Sequence, residues 1–404
     1  MALVPVDAAR SRVLAACARL PVHRVALADA LGLVTAAPVS STEAVPPFAN
    51  TAMDGYAVRA ADTTSPPVSL RVVGSIAAGD GPGVEVAPGE AARIMTGAPI
   101  PPGADAVVMV ERTETGLGGA TVVVHHHARP GDHIREAGED VRPGQEVFPA
   151  GTLVRPGHLG VMASVGLVDV PVFRRATVGV LSTGDELVDG GGPLRPGQVR
   201  DSNRPTLLAL VRQAGCLAVD LGRCGDSPGD LRDAVRGGVA LCDAVVTSGG
   251  VSVGDFDYVK VVLDELSGGT MDWMQVAVKP AKPFAFGVIA GTPVFGLPGN
   301  PVSSMVSFEL FARPALLAMM GHADVHRPRL RAVADEALSR RADGKLHLVR
   351  VTAAWGVDGR CHVTPAAGQG SHMLHAMALS NALALVPDGP GVDEGGDVDV
   401  LLLA

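Results

Sequence analysis

Aromatic residues are scarce in this 404-residue chain, at 3%, so any core must be filled mainly by Val, Leu and Ala. There is no surplus of positive charge: 33 Lys and Arg against 42 Asp and Glu leave a net −9. That balance argues against a non-specific nucleic-acid binder. The five cysteines (Cys17, Cys216, Cys224, Cys242, Cys361) form no CxxC pair. Their odd number and wide scatter point to reduced structural thiols in a reducing compartment. A Walker A loop and an HExxH pair are both missing. Residues 1–12 lack the basic and apolar pattern of a secretory leader. The most apolar stretches, such as residues 288–297, are broken by Gly and Pro well short of a membrane span. The expectation is a soluble, cytoplasmic protein with neither nucleic acid nor membrane as partner.

What the chain does hold is apolar material and turns. Hydrophobic residues make up 47%, enough for a sizeable core, and 50 Gly with 31 Pro imply short elements and many tight turns. Residues 7–20 carry Ala, Val and Leu at helical spacing, with Asp7 as the expected N-cap. Short β-rich runs at 68–73, 104–111 and 121–127, separated by Gly and Pro, predict a small β domain over residues 50–147. A helix at 157–166 and a strand at 168–173 belong with the N-terminal helix, which makes that β domain an insertion. From Ala176 strands alternate with helices, the pattern of a parallel, three-layer α/β sheet. After His326 short strands return, predicting a C-terminal β-barrel. The expected domains are 1–49 with 148–174, then 50–147, 175–325 and 326–404. The fold class is therefore multidomain α/β and β.

Chemistry concentrates in loops that follow the predicted α/β strands, the edge at which open parallel sheets bind ligands. One is Ser182-Thr183-Gly184-Asp185-Glu186; another runs from Ser248 through Gly249, Gly250 and Ser252 to Asp257. Glycines let backbone N–H groups approach a phosphate, and the serines add hydroxyl donors. Lys279-Pro280-Ala281-Lys282-Pro283 holds two lysines between prolines, suited to an anion clamp or, more plainly, to a rigid surface turn. Gly296-Leu297-Pro298-Gly299-Asn300-Pro301 joins a strand to a helix. Asp54, Asp140, Glu186, Asp226 and Asp257 each suit a cap, a turn or the surface. Gathered beside a polyphosphate, they require a divalent cation between them, with oxygen ligands, hence Mg²⁺. The run His125-His126-His127 with His133 reads as a solvated strand, since no partner stands at zinc-site spacing.

Several longer motifs appear in order: ANTAMDGYA at 49–57, MTGAPIP at 95–101 with ADAVVMVE, GED at 138–140, STGDEL, SGGVSVGDFDY, KPAKPFAFG, GLPGNPVSS and GQGSHML at 368–374. Through them the chain resembles the molybdopterin molybdenumtransferases of the MoeA type, and is similar also to the E domain of gephyrin. The resemblance covers essentially the whole chain. It implies an elongated discontinuous N-terminal domain, an inserted β domain, a molybdopterin-binding α/β domain and a C-terminal β-barrel. It also implies a cytoplasmic homodimer whose cleft lies between the α/β domain of one subunit and the inserted domain of the other. The implied reaction takes adenylylated molybdopterin and molybdate, with Mg²⁺, to molybdenum cofactor, AMP and water.

Carried over by position, the resemblance assigns Thr183, Glu186, Ser248, Gly249, Gly250, Ser252, Lys279, Lys282, Pro298 and Pro301 to a pterin-phosphate pocket. Asp54, Thr96, Asp140, Asp226 and Asp257 stand as polar residues around the reacting end, with Glu186 and Asp257 as metal ligands. Arg350 and Ser371 match C-terminal positions tied to activity. The adenylyltransferase that supplies the substrate and the molybdoenzyme apoproteins that receive the product are the protein partners implied. Two departures stand out: Gln275 where relatives often carry a basic residue, and Ala281 in place of the glycine of a KPGKP loop. Two other functions fit parts of the pattern. The preceding adenylyltransferase shares the SGG-type loop but usually needs that one domain alone, and a gephyrin-like scaffold would bind peptides without catalysis. Gln275 also leaves open a degenerate paralogue.

Overall fold

The computed structural model describes residues 2–81, 83–251 and 258–403. They form two compact units, Met1–His23 with Gly32–Ala36 and Val172–Ala404, and Arg24–Leu31 with Ala37–Pro171.

The first unit is built on a six-stranded sheet in the order Leu217–Cys224, Thr177–Thr183, Ala244–Ser248, Thr292–Leu297, Pro283–Ile289, Asp272–Gln275. The first four strands are parallel. The central ones are buried almost end to end, because helices cover both faces, and their few polar side chains, among them Ser182, Thr183, Thr247 and Ser248, are buried with them. Leu217–Cys224, at the edge, instead mixes exposed and half-buried residues. On one face Val178, Val180, Val246 and Phe295 pack with Leu207 and Val211 of helix Asn203–Gln213 and with Phe308 and Leu316 of the helical run that starts at Pro301. On the other, Leu181, Val245 and Val294 pack with Leu231 and Val235 of helix Pro228–Leu241 and with Val262 of Tyr258–Leu266. Each such aliphatic side chain contributes about 1.5–3 kcal/mol on burial.

The sheet departs from the all-parallel expectation at one side. Pro283–Ile289 runs antiparallel to Thr292–Leu297, and Asp272–Gln275 antiparallel to Pro283–Ile289. The turn between the first two spans only Ala290 and Gly291, too short for a crossover helix, so the strand must fold straight back. The N-terminal helix is Val6–Ala16, preceded by Pro5; Asp7 lies inside its first turn and pairs with Arg10 at 3.2 Å rather than capping the helix.

A five-stranded barrel closes in the order Leu346–Trp355, Cys361–Pro365, Arg329–Ala334, Asp397–Leu402, Ala382–Val386 and back to Leu346–Trp355. Closure leaves no free sheet edge among these strands. Val351, Val363, Ala384 and Val400 fill it, while Leu348, Leu383 and Leu401 join the core of the α/β sheet. The helical run Pro301–Met319 is long and apolar enough to cross a membrane by composition, but most of it is buried inside this unit.

The second unit carries a six-stranded sheet in the order Ala106–Met109, Gly55–Val58, Glu90–Ile94, Val68–Ile76, Thr121–Val124, Thr113–Thr115. Side chains alternate between two small cores: Tyr56, Val58, Ala91 and Val108 in one, Ala57, Ala92, Ile94 and Val107 in the other. The last strand of the histidine region ends at Val124. Beyond it, His127 Nδ1 lies 3.1 Å from the Thr63 carbonyl.

Candidate active site

In the α/β sheet the chain passes from Thr177–Thr183 outward to Leu217–Cys224, then returns to the other side as Ala244–Ser248. The strand order therefore reverses between Thr183 and Ser248, and the loops leaving there splay apart into a crevice. A cavity of 640 Å³ opens at that point. Its wall includes Thr183, Glu186, Asp226, Ser248, Gly249, Gly250 and Pro298 from the residues expected, together with Asn203, Tyr258, Gly299 and Asn300.

Local chemistry shapes this wall. Thr183 Oγ1 donates to the Ser248 carbonyl at 3.2 Å, tying the ends of the two central strands together. Gly249 follows with φ +103, and a Cβ there would lie 2.7 Å from the Thr183 carbonyl oxygen, so only glycine fits the turn. Asn203 Nδ2 donates to Ser248 Oγ and to the Gly299 carbonyl, both at 2.7 Å. Next to it, Arg204 bonds Asp201 at 3.1 Å and Asp220 at 2.9 Å, fastening the start of the helix to the edge strand. The Asp226 N–H donates to Asp185 Oδ1 at 3.0 Å.

Lys279, Lys282, Pro301, Arg350 and Ser371 are not part of that wall, although Lys282 and Pro301 each adjoin a residue that is. The lysines are exposed, and Lys282 precedes Pro283, which does line the cavity. Ala281 between them is buried with φ +78, a conformation that glycine adopts without strain. Gln275 pairs with Pro283 across the antiparallel strands. Pro301 opens the helix directly after Asn300. The Ser371 carbonyl accepts from the Val302 N–H at 3.1 Å. Arg350, 1% exposed, donates through Nη2 to the carbonyls of Gly368 at 2.8 Å and Gly370 at 3.2 Å. Burial pulls its guanidinium below the usual value, and Nε and Nη1 have no partner among the described residues. Ser252 and Asp257 lie outside the described residues.

Asp54 and Thr96 meet in the second unit: Asp54 Oδ1 accepts from the Thr96 N–H at 2.7 Å and from its hydroxyl at 2.8 Å. Asp140 belongs to the same unit, where its N–H donates to the Val45 carbonyl at 2.9 Å. Among the described residues no three acidic, His or Cys side chains gather as a metal site. The cavity wall does carry oxygen donors of the hard type, the carboxylates of Glu186 and Asp226 and the hydroxyls of Thr183 and Ser248. This is a partial shell, one that fits Mg²⁺ when substrate phosphate and water supply the remaining ligands.

Three family models match in chain order: the MoeA N-terminal region (domain I and II) over residues 4–166, the probable molybdopterin binding domain over 179–318 and the MoeA C-terminal region (domain IV) over 332–403. A curated relative from Mycobacterium tuberculosis, named molybdopterin molybdenumtransferase 2, is 39% identical over 372 residues, 90% of each chain. The chain belongs to the molybdopterin molybdenumtransferase family. The family's Haemophilus influenzae member is 37% identical over 92% of this chain and 91% of its own. A crystal structure of the molybdopterin biosynthesis MoeA protein from Pyrococcus horikoshii superposes with a TM-score of 0.84 at 31% identity, covering 100% of both chains. Family membership makes this chain a transferase with the MoeA fold, and disfavours the adenylyltransferase and the scaffold.

Asn203 was missed from sequence. Pro205 reads as the first residue of a helix, which leaves Asn203 looking like a loop residue; the helix instead begins at Asn203 itself.

Proposed function

We propose that this chain inserts molybdate into adenylylated molybdopterin, releasing AMP, as a step of molybdenum cofactor biosynthesis. The observation that carries the reading is the cavity at the strand reversal, lined by hydroxyls, glycine backbone and two carboxylates in a chain of this family. Ser248 and the backbone of Gly249 and Gly250 suit the phosphate of the pterin. The amino end of the helical run after Asn300 adds a favourable partial charge for anions. Lys279 and Lys282 belong to the reading as cations that help hold the phosphates, and Arg350 and Ser371 as C-terminal positions tied to activity; molybdate held beside the dithiolene sulfurs reacts without a bimolecular encounter. Replacing two molybdate oxygens by the two dithiolene sulfurs frees two oxygens: opening the anhydride takes up the equivalent of one as AMP leaves, and the other departs as water.

Glu186 and Asp226 are the described residues that would hold Mg²⁺, with Asp257 as the further ligand expected. When bound, the ion offsets charge on the AMP phosphate as the anhydride opens. Asp54, Thr96 and Asp140 are assigned to the reacting end. A homodimer in the cytoplasm, the four-domain division, and contact with the adenylyltransferase and the receiving apoproteins complete the proposal.

AMP release with molybdate and Mg²⁺, comparing the native chain with Asp54→Ala and Glu186→Ala, tests it. The native chain is expected to release AMP, and each variant to lose about 10²-fold or more. Equal rates in all three would defeat the site assignment. Light scattering at twice the chain mass is expected for the dimer.

A further inference from the structure

Asn203 closes one direction to the hydroxyl hydrogen of Ser248. The Gly299 carbonyl can only accept a hydrogen bond, so the Asn203 atom 2.7 Å from it is the amide nitrogen. The same nitrogen lies 2.7 Å from Ser248 Oγ, and its second hydrogen is directed there. Ser248 Oγ therefore accepts, and its own proton is left for another partner. Among the described residues, no acceptor is assigned to it. Thr183 is committed in the opposite sense, since its hydroxyl donates to the Ser248 carbonyl at 3.2 Å and keeps only lone pairs for the cavity.

We infer that Asn203 is a positioning residue that frees the Ser248 proton for donation to the substrate, while Thr183, its proton already given to the Ser248 carbonyl, is left an acceptor. The ligand group that meets the Ser248 proton is then a hydrogen-bond acceptor, such as a phosphate oxygen or a carbonyl of the pterin, and the group at Thr183 is an N–H, an O–H or a cation. The inference rests on the proposed function and refines it. Its physical basis is that a hydroxyl free to rotate points its proton anywhere, whereas one already accepting a 2.7 Å bond from an amide has that direction closed to its proton and loses less rotor freedom on binding. The next residue, Arg204, is fastened to Asp201 and Asp220, which anchors the helix start that carries Asn203.

A double-mutant cycle on AMP release tests this. Asn203→Ala and Ser248→Ala should each lower kcat/KM about tenfold, chiefly through KM, and the double variant should fall no further than Ser248→Ala alone. Asn203→Asp, which can only accept, should turn the Ser248 proton away from the cavity and lose more than Asn203→Ala. In the Ser248→Ala background that difference should vanish, whereas simple repulsion of an anionic substrate would persist there. Losses that multiply in the double variant, or an Asp effect that survives without the Ser248 hydroxyl, overturn the inference. Neutron diffraction of the native protein reads the same point without any turnover. A Ser248 deuterium pointing into the cavity supports the inference, and one pointing at Asn203 refutes it. A native chain that releases no AMP would instead defeat the proposed function and leave the neutron result to decide Asn203.

Discussion

Asp54 Oδ1 and Thr96 are joined twice, by the backbone N–H at 2.7 Å and by the hydroxyl at 2.8 Å. Both bonds favour the ionised carboxylate and hold Asp54 below its ordinary 3.8. Its contribution to stability is therefore complete above that value and is lost as pH falls through the lower, folded one. Thr96→Val should raise the Asp54 midpoint part of the way back, because the backbone donor survives. A carbon-detected NMR titration reads this, and an unchanged midpoint would show that the hydroxyl bond is not made.

Gly249 sits at φ +103 with Thr183 against the place where a Cβ would stand. Gly249→Ala must either move the loop or break the Thr183–Ser248 bond. We expect a stability loss of about 1–3 kcal/mol by urea denaturation. AMP release should fall well beyond what the residual folded fraction explains. A variant with native stability and native rate would mean the turn can be made another way.

His362 lies between two carboxylates, with Nδ1 2.6 Å from Asp335 Oδ1 and Nε2 3.1 Å from Asp358 Oδ2. These hydrogen bonds raise its value above 6.5. The stabilisation is fully present below the unfolded value and is lost as pH rises through the raised folded one. The urea midpoint of the native chain should therefore decline across that window more steeply than that of the Asp335→Asn, Asp358→Asn double variant. Parallel curves would contradict the pairing.

Burial pushes the thiols of Cys17 and Cys216 up to about 12. At pH 8 only about one molecule in ten thousand would carry either thiolate, so iodoacetamide should leave both unlabelled in the folded protein. In urea all five cysteines should react. Rapid labelling of Cys216 under native conditions would mean that the core around Met320, 3.9 Å from its sulfur, opens readily.

Much of this was legible residue by residue. Continuous apolar runs ending in Thr183, Ser248 and Leu297 announced buried parallel strands, and the Gly and Ser residues after them announced loops at one edge. The lysine pair was harder. Lys279 and Lys282 read as part of a pocket, yet they stay exposed beside the cavity wall, because Lys279 lies in a short strand paired with Leu346–Trp355 of the barrel. The antiparallel return of Pro283–Ile289 was hidden too, since its apolar run looks the same in either direction.

By itself the amino-acid order determined the kinds of element, their sequence along the chain, and the turns that admit only glycine, because those depend on side-chain period and on the backbone freedom of neighbouring residues. Tertiary structure alone decided that Asn203 holds Ser248, 45 positions away, and Gly299, 96 away. It also decided that Arg350 is sealed beneath the loop at Gly368 and Gly370. Such contacts are directional and short, and no periodicity encodes them; they exist only once strand order has brought distant segments within about 3 Å of one another.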